Sequence, residues 1–412
     1  MPARHLPVRP DLDQLKHQAK DLLRAVRRGN ADAVAEFRGN YPDSPVPTLA
    51  RLSHAQLVLA RSYGLPSWPR LVLACRMTDA ICRDDLAAVR QLVLRHPALL
   101  HEDARGVTGN WGPPMSYAAN LGRDRIIEML HQHGAIDVQF AFERACLQGQ
   151  IETARLLSRK GARPVDGSVM GPCETLHLSG LELQLELGAR LCDERGDPLA
   201  PIAMVLSTYC RNPEAKHACL DFFVSRGIDM PDTAPMAVHR GRIDLLERLV
   251  SRDPGLLNAT FSLEEMFPVA LGCPADPAFA LGGTPIIGGT LLHMCVDYYE
   301  LDIARWLIDR GADVNAKADV GEGFGGHTAL FNAVVAQPSA MRESDAFARL
   351  LLDHGADPNV RASLRKRLIG AHDETEHYYR DVTPLGWGEQ FHDRSFVSSA
   401  SMRLIAERGG LA

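Results

Sequence analysis

No stretch of the 412-residue chain approaches the roughly 18 consecutive apolar residues that a membrane-spanning helix needs. The opening Met1-Pro-Ala-Arg-His-Leu-Pro also lacks the apolar centre of a secretory signal. Both absences point to a soluble cytoplasmic protein with no membrane partner. Aromatic residues are thin at 6%, which disfavours an aromatic-rich β-sandwich. Positive charge is not in excess: 45 Lys and Arg face 51 Asp and Glu, a net charge of −6, so the chain as a whole is a poor partner for nucleic acid. The nine cysteines are an odd number and form no Cys-x-x-Cys pair, which argues against a disulfide framework and a zinc ribbon. There is no Gly-x-Ser-x-Gly elbow, no Gly-Lys-Ser/Thr loop and no His-Glu-x-x-His helix. Neither a metal nor a cofactor is expected.

What the chain does contain is repetition. A segment opening Thr290-Leu-Leu-His-Met-Cys-Val continues through Ile303-Ala-Arg-Trp-Leu-Ile-Asp-Arg to Gly311-Ala-Asp-Val-Asn. A second copy opens at Thr328-Ala-Leu-Phe-Asn-Ala and closes at Gly355-Ala-Asp-Pro-Asn, and a third runs from Thr383-Pro-Leu-Gly-Trp to Leu404-Ile-Ala-Glu-Arg-Gly-Gly. Weaker copies share the closing half, as in Met129-Leu-His-Gln-His-Gly-Ala and Leu156-Leu-Ser-Arg-Lys-Gly-Ala. Ile303, Trp306, Leu307 and Ile308 give the stripe of a half-buried helix, and Gly311 suits its left-handed stop. One such helix pair cannot bury its apolar face alone, so neighbours must stack.

These segments resemble the ankyrin repeat. The resemblance covers roughly residues 79–410 and implies about nine units at the ~33-residue period of that repeat. The fold class expected is all-α: a solenoid of helix pairs with short hairpins. Residues 1–74 differ, with an amphipathic helix over Leu12–Val26 that stops at Gly29, a Pro-rich break at 41–47 and a second helix near Ser53–Tyr63. They look like the small helical module that precedes ankyrin arrays in many bacterial proteins, and are expected to cap the array of residues 75–412.

Long insertions near 259–289 and 363–379 exceed an ankyrin hairpin and read as binding loops. In the first, Phe261, Met266, Phe267 and Phe279 favour an ordered lid. The resemblance assigns a concave row that includes Asn120, Glu174, Ser207, His239, Arg240, Asp297, Tyr298 and Gln390. Hairpin positions add Trp111, Phe324, His327, Tyr379 and Arg380, and Trp387 of the last repeat completes the set of binding candidates. His293 occupies the repeat's own His position, for which the resemblance implies a structural hydrogen bond between loops. Gly321-Glu-Gly-Phe-Gly-Gly326 fits Gly-x-Gly-x-x-Gly but falls at a hairpin tip, not after a strand of a βαβ unit. His372-Asp-Glu-Thr-Glu-His377 carries ligand types in a charged, solvated loop.

Two functions follow. The first is a recognition scaffold that binds a protein or peptide partner through the concave face and long hairpins. The second is a hydrolase or binding protein for a carbohydrate-like polar small molecule. There Asp297 would act as general acid or base in a lidded concave pocket, with His239 and Arg240 beside it. Oligomeric state is left open.

Overall fold

The computed structural model describes residues 4–43, 45–275, 282–338, 344–369 and 373–412. Its chain divides into two compact units, Met1–Pro164 and Val165–Ala412.

In the first unit, α1 (Leu12–Arg27) begins where the Asp11 carboxylate accepts from the amides of Asp13 and Gln14 at 2.8 and 2.9 Å. Its buried stripe is Leu15, Ala19, Leu22 and Val26, at helical spacing. Leu15 and Ala19 pack with Leu59 of α3 (Leu52–Ser62) and Leu71, while Leu22 and Val26 pack with Phe37 and Val58. Phe37 belongs to α2 (Ala31–Asn40), a helix missed from sequence; Asn30 caps it by accepting from the Ala33 amide at 3.0 Å. Three helix pairs follow: α4 (Trp68–Cys82) with α5 (Leu86–Arg95), α6 (Pro114–Ala119) with α7 (Asp124–Gln132), and α8 (Val138–Leu147) with α9 (Ile151–Arg159). The first helix of each pair packs on the next. Helix α4 runs unbroken through residues 74 and 75. Leu71 and Cys75, one turn apart on α4, share one core with α1.

The second unit holds six more pairs among its described residues. They are α10 (Met170–Thr175) with α11 (Leu178–Glu186), α12 (Ala200–Ser207) with α13 (Pro213–Ser225), and α14 (Ala234–His239) with α15 (Ile243–Arg252). After the short α16 (Leu263–Met266) come α17 (Leu291–Tyr298) with α18 (Leu301–Asp309), α19 (Ala329–Val334) with α20 (Ala346–Asp353), and α21 (Pro384–Gln390) with α22 (Ser399–Glu407). Helices α14, α17, α19 and α21 stack in series. Each partner helix turns an apolar stripe inward, as Ile303, Ala304 and Leu307 do in α18. Fully burying a Leu or Ile contributes about 1.5–3 kcal/mol, which a pair realises only against its neighbours.

The repeats are tied together by their histidines. His293 Nδ1 accepts from the Thr290 amide at 3.1 Å while Nε2 donates to the His327 carbonyl at 3.1 Å, making the loop-to-loop bond that the resemblance implies. His327 in turn donates to the Pro285 carbonyl at 2.9 Å. Burial pushes the imidazole of His293 down to about 3 and that of His327 down to about 4, so both work as neutral rings.

The hairpins form a four-stranded antiparallel sheet in the order β1 (Asp319–Gly321), β2 (Phe324–Gly325), β3 (Ala362–Lys366), β4 (His377–Val382). Both ends of the second insertion are therefore strand, where a binding loop was expected. Its alternation puts Ala362, Leu364, Tyr379 and Val382 into the core. The Gly-rich segment 321–326 is the β1–β2 turn. The described part of the first insertion is likewise packed: Phe261, Met266, Phe267, Leu271 and Cys273 are buried in the main core. Phe279 and His372 lie outside the described residues. No helix among the described residues is long and apolar enough to cross a membrane.

Candidate functional site

Asp297 lies in the last turn of α17, which ends at Tyr299 in the left-handed region (φ 67°). Its partner is Arg211, from the connection between α12 and α13: Arg211 Nη2 donates to Asp297 Oδ2 at 2.9 Å, and both side chains are 1% exposed. The expected neighbour, Arg240, instead sits 3.9 Å from Asp221. An inner-helix frame could not find Arg211, because it comes from an insertion outside the repeat. Arg211 also donates to the carbonyls of Thr208 and Cys210. Asp297 Oδ1 and Arg211 Nε have no hydrogen-bond partner among the described residues.

Around this pair lies a buried polar network. The Tyr298 ring carries Lys216 Nζ 3.5 Å from its centroid and the Arg211 guanidinium carbon 4.6 Å from it. Lys216 Nζ donates to the Leu206 carbonyl at 3.0 Å and to His239 Nδ1 at 2.8 Å. His239 Nε2 donates to the Met266 carbonyl at 3.0 Å. Desolvation, reinforced by Arg211, holds the Lys216 ammonium well below the usual lysine range. Desolvation and Lys216 do the same to His239. The amine's hydrogen bond to the imidazole and the imidazole's to the Met266 carbonyl give both groups partners in the interior. His217 Nε2 lies 2.8 Å from Glu300 Oε1, and Gly241 packs so closely on the His217 ring that a Cβ there would come within 2.3 Å of it.

Both ring nitrogens of His239 are thus used, and the ring is 0% exposed. Lys216 was missed from sequence, yet it leaves a trace: Lys216, Cys219, Leu220 and Phe223 form one buried helical stripe, a pattern in which a lysine stands out.

Gly282 passes the Asp297 carboxylate so closely that a Cβ there would stand 2.6 Å from Oδ1. Gly282 also lines a cleft of about 190 Å³ together with Tyr209, Gln337, Lys366 and Phe396. That is below the roughly 300–1,000 Å³ of drug-sized ligand sites. Burial pushes Lys366 down to about 8, against a partly offsetting pull from Asp297.

The other candidates separate by exposure. Asn120 is buried, donating to the Ser116 carbonyl at 2.8 Å and accepting from Arg144 Nε at 2.9 Å. Ser207 is buried and donates to the Ala203 carbonyl at 2.7 Å. His327 and Arg240 are buried, as is Trp387, whose Nε1 donates to Thr284 Oγ1 at 2.9 Å. Tyr379 is buried against Trp387 and its hydroxyl lies 2.6 Å from His392 Nδ1. Trp111 is half-buried beside Tyr117, with ring centroids 4.9 Å apart. Glu174 is half-buried and its carbonyl accepts from Thr208. Gln390 is exposed at the end of α21.

Phe324 and Arg380 meet on the hairpin sheet. The Arg380 guanidinium carbon lies 3.9 Å from the Phe324 ring centroid, and that of Arg365 lies 5.1 Å from it. Tyr378, 58% exposed, adds its ring 5.9 Å away. Arg365 is held by Glu322 at 2.8 Å and Arg380 by the Gly323 carbonyl at 3.2 Å, which fixes both planes. Tyr378 and Arg365 were not singled out from sequence. Their signal is cross-strand register, since Arg365 and Tyr378 are directly paired. His377 stacks on His392 at 3.9 Å and bonds Asp373 at 2.9 Å.

Residues 288–319, spanning α17 and α18, match the family model of the ankyrin repeat. With the helix pairs and hairpins described above, the fold is mostly helical and ankyrin-repeat-like. The chain is similar to the crystal structure of the human ASB11 ankyrin repeat domain at 16% identity, covering 73% of this chain and 99% of that one with a TM-score of 0.24. No curated protein matches.

Proposed function

We propose that the protein is a recognition scaffold that binds a protein or peptide segment on its hairpin sheet, at Phe324, Arg365, Tyr378 and Arg380. Ankyrin repeats are generally protein-interaction scaffolds. The observation that carries the proposal is the contrast in exposure between two groups of residues. Tyr378 is 58% exposed and Arg380 is exposed beside Phe324, whereas Asp297 and His239 are 1% and 0% exposed. A general acid or base must come within hydrogen-bond reach of substrate, whereas both ring nitrogens of His239 and Asp297 Oδ2 are taken by Lys216, the Met266 carbonyl and Arg211, and Asp297 Oδ1 is buried. An aromatic-and-arginine surface is what interface centres favour, and the Phe324 ring already packs against two guanidinium groups. The small volume beside Gly282 also disfavours a carbohydrate there. The N-terminal module is placed by this proposal as a cap over the apolar edge of its own unit.

Selection of displayed peptides on the immobilised protein tests the proposal. Peptides enriched on the wild type are expected to lose at least about tenfold in affinity on a Phe324→Ala/Tyr378→Ala variant with unchanged melting, the loss typical of truncated interface anchors. Enriched peptides that bind this variant as well as the wild type would refute it. Hydrolysis of a glycoside, abolished by Asp297→Asn, would establish the enzymatic alternative in its place.

A further inference from the structure

Helix α5 uses only one side of itself for the core. Val89 and Val93 point inward, leaving Leu86, Arg90 and Leu94 in one outward line and Ala87, Gln91 and Arg95 in the next. With Arg125 of α7 these residues line a groove of about 700 Å³, and a second hollow on the α4 side shares Gln91 and Arg95 with it. Leu94 is 59% exposed in this groove, a large apolar side chain with no structural duty. None of Arg90, Arg95 and Arg125 forms an ion pair with a described residue, whereas the nearby Arg83 is held by Asp79 at 2.5 Å. Three arginines with no ion pair to a described residue therefore stand among Leu86, Ala87 and Leu94 in a chain whose net charge is −6.

We propose that this groove is a docking surface for an acidic amphipathic helix of a partner protein, separate from the hairpin sheet. Leu86 and Leu94 are eight residues apart, which at about 1.5 Å per residue is ~12 Å. That matches apolar anchors about seven residues apart on a partner helix, the spacing of helix-in-groove recognition. Glu or Asp flanking those anchors falls opposite the arginine forks, which bind carboxylates with two parallel hydrogen bonds. The contact is small, so binding is weak and readily reversible.

The test is fluorescence anisotropy on the 412-residue protein with four labelled probes. They are a synthetic peptide with Leu at heptad spacing flanked by Glu, a scrambled peptide of the same composition, a Lys-for-Glu peptide, and a single-stranded RNA oligonucleotide. The patterned acidic peptide is expected to bind tightest. Leu94→Asp and Arg90→Glu/Arg125→Glu should each weaken it at least tenfold with unchanged melting, and the charge-reversed protein should gain affinity for the Lys peptide. Tyr378→Ala should bind as the wild type, which separates failure here from failure of the hairpin surface. Equal binding of the scrambled peptide, tighter binding of the RNA, no saturable binding of the patterned peptide, or indifference to Leu94→Asp would each overturn the proposal.

Discussion

Asp297→Asn separates a buried ion pair from a surface one. A pair exposed to water is worth about 0–1 kcal/mol, and its loss would scarcely register. Here both side chains are 1% exposed, and the remaining cation, Arg211, would be left in the protein interior with its Nε already lacking a partner. Removing one partner of such a pair costs about 3–5 kcal/mol, a large share of the roughly 5–15 kcal/mol that stabilises a domain. Asparagine keeps the shape and an acceptor oxygen, so the loss reports charge and not a cavity. Arg211→Met alone strands the carboxylate in the same way, while the double variant Arg211→Met/Asp297→Asn removes both charges. The double variant should therefore be more stable than the sum of the single losses requires, with a coupling of about 1–3 kcal/mol. Urea denaturation combined with amide hydrogen exchange in α17 measures this and localises it to the second unit. High salt should leave the loss nearly unchanged, because buried pairs are weakly screened. A loss below about 1 kcal/mol, or additive single and double variants, would refute the reasoning.

Two further outcomes follow from the same interior. His293 and His327, pushed down to about 3 and about 4, stay neutral in the folded chain while the unfolded chain protonates them below about 6.5. The unfolded state then binds more protons, so stability is full above that pH and falls as pH drops: the two rings together cost about 2 kcal/mol between pH 6.5 and 5.5. Urea titrations at both pH values check this; His293→Gln should halve the difference, and stability that rises on acidification would contradict it. Gly282→Ala puts a Cβ 2.6 Å from Asp297 Oδ1 and should cost about 1–3 kcal/mol in a thermal or urea melt. The cost should vanish in an Asp297→Ser background, and an equal cost in both backgrounds would rule out that contact as its cause.

Local signals made much of this architecture readable. Gly29 ends α1, the Thr290 opening begins α17 and Gly311 follows α18, and each rests on residues close in sequence. What was unreadable depends on distant partners. Arg211 and Asp297 are 86 residues apart and meet only because an insertion folds inward. The repeat frame put Asp297, Tyr298 and His239 on an open face, but Met266 and Phe267 of the first insertion and Lys216 of α13 close around them. Residues 363–379 look charged and loop-like because Ser363 and Arg365 of β3 and Tyr378 of β4 lie outside the core. The inward set, Leu364 and Tyr379, carries the strand signal that the charges obscure. The Phe324–Arg380 pairing was half legible, since both positions fall on hairpins, while Tyr378 and Arg365 needed the register.

The most direct test of recognition on the hairpin sheet is a hydrogen–deuterium exchange footprint with the tightest selected peptide. Protection is predicted across Asp319–Gly325 and His377–Val382, with Leu291–Tyr298 and Pro213–Ser225 unchanged. Protection confined to those two helices, leaving the strands as in the free protein, would place the ligand at Asp297 and contradict a binding surface on the sheet.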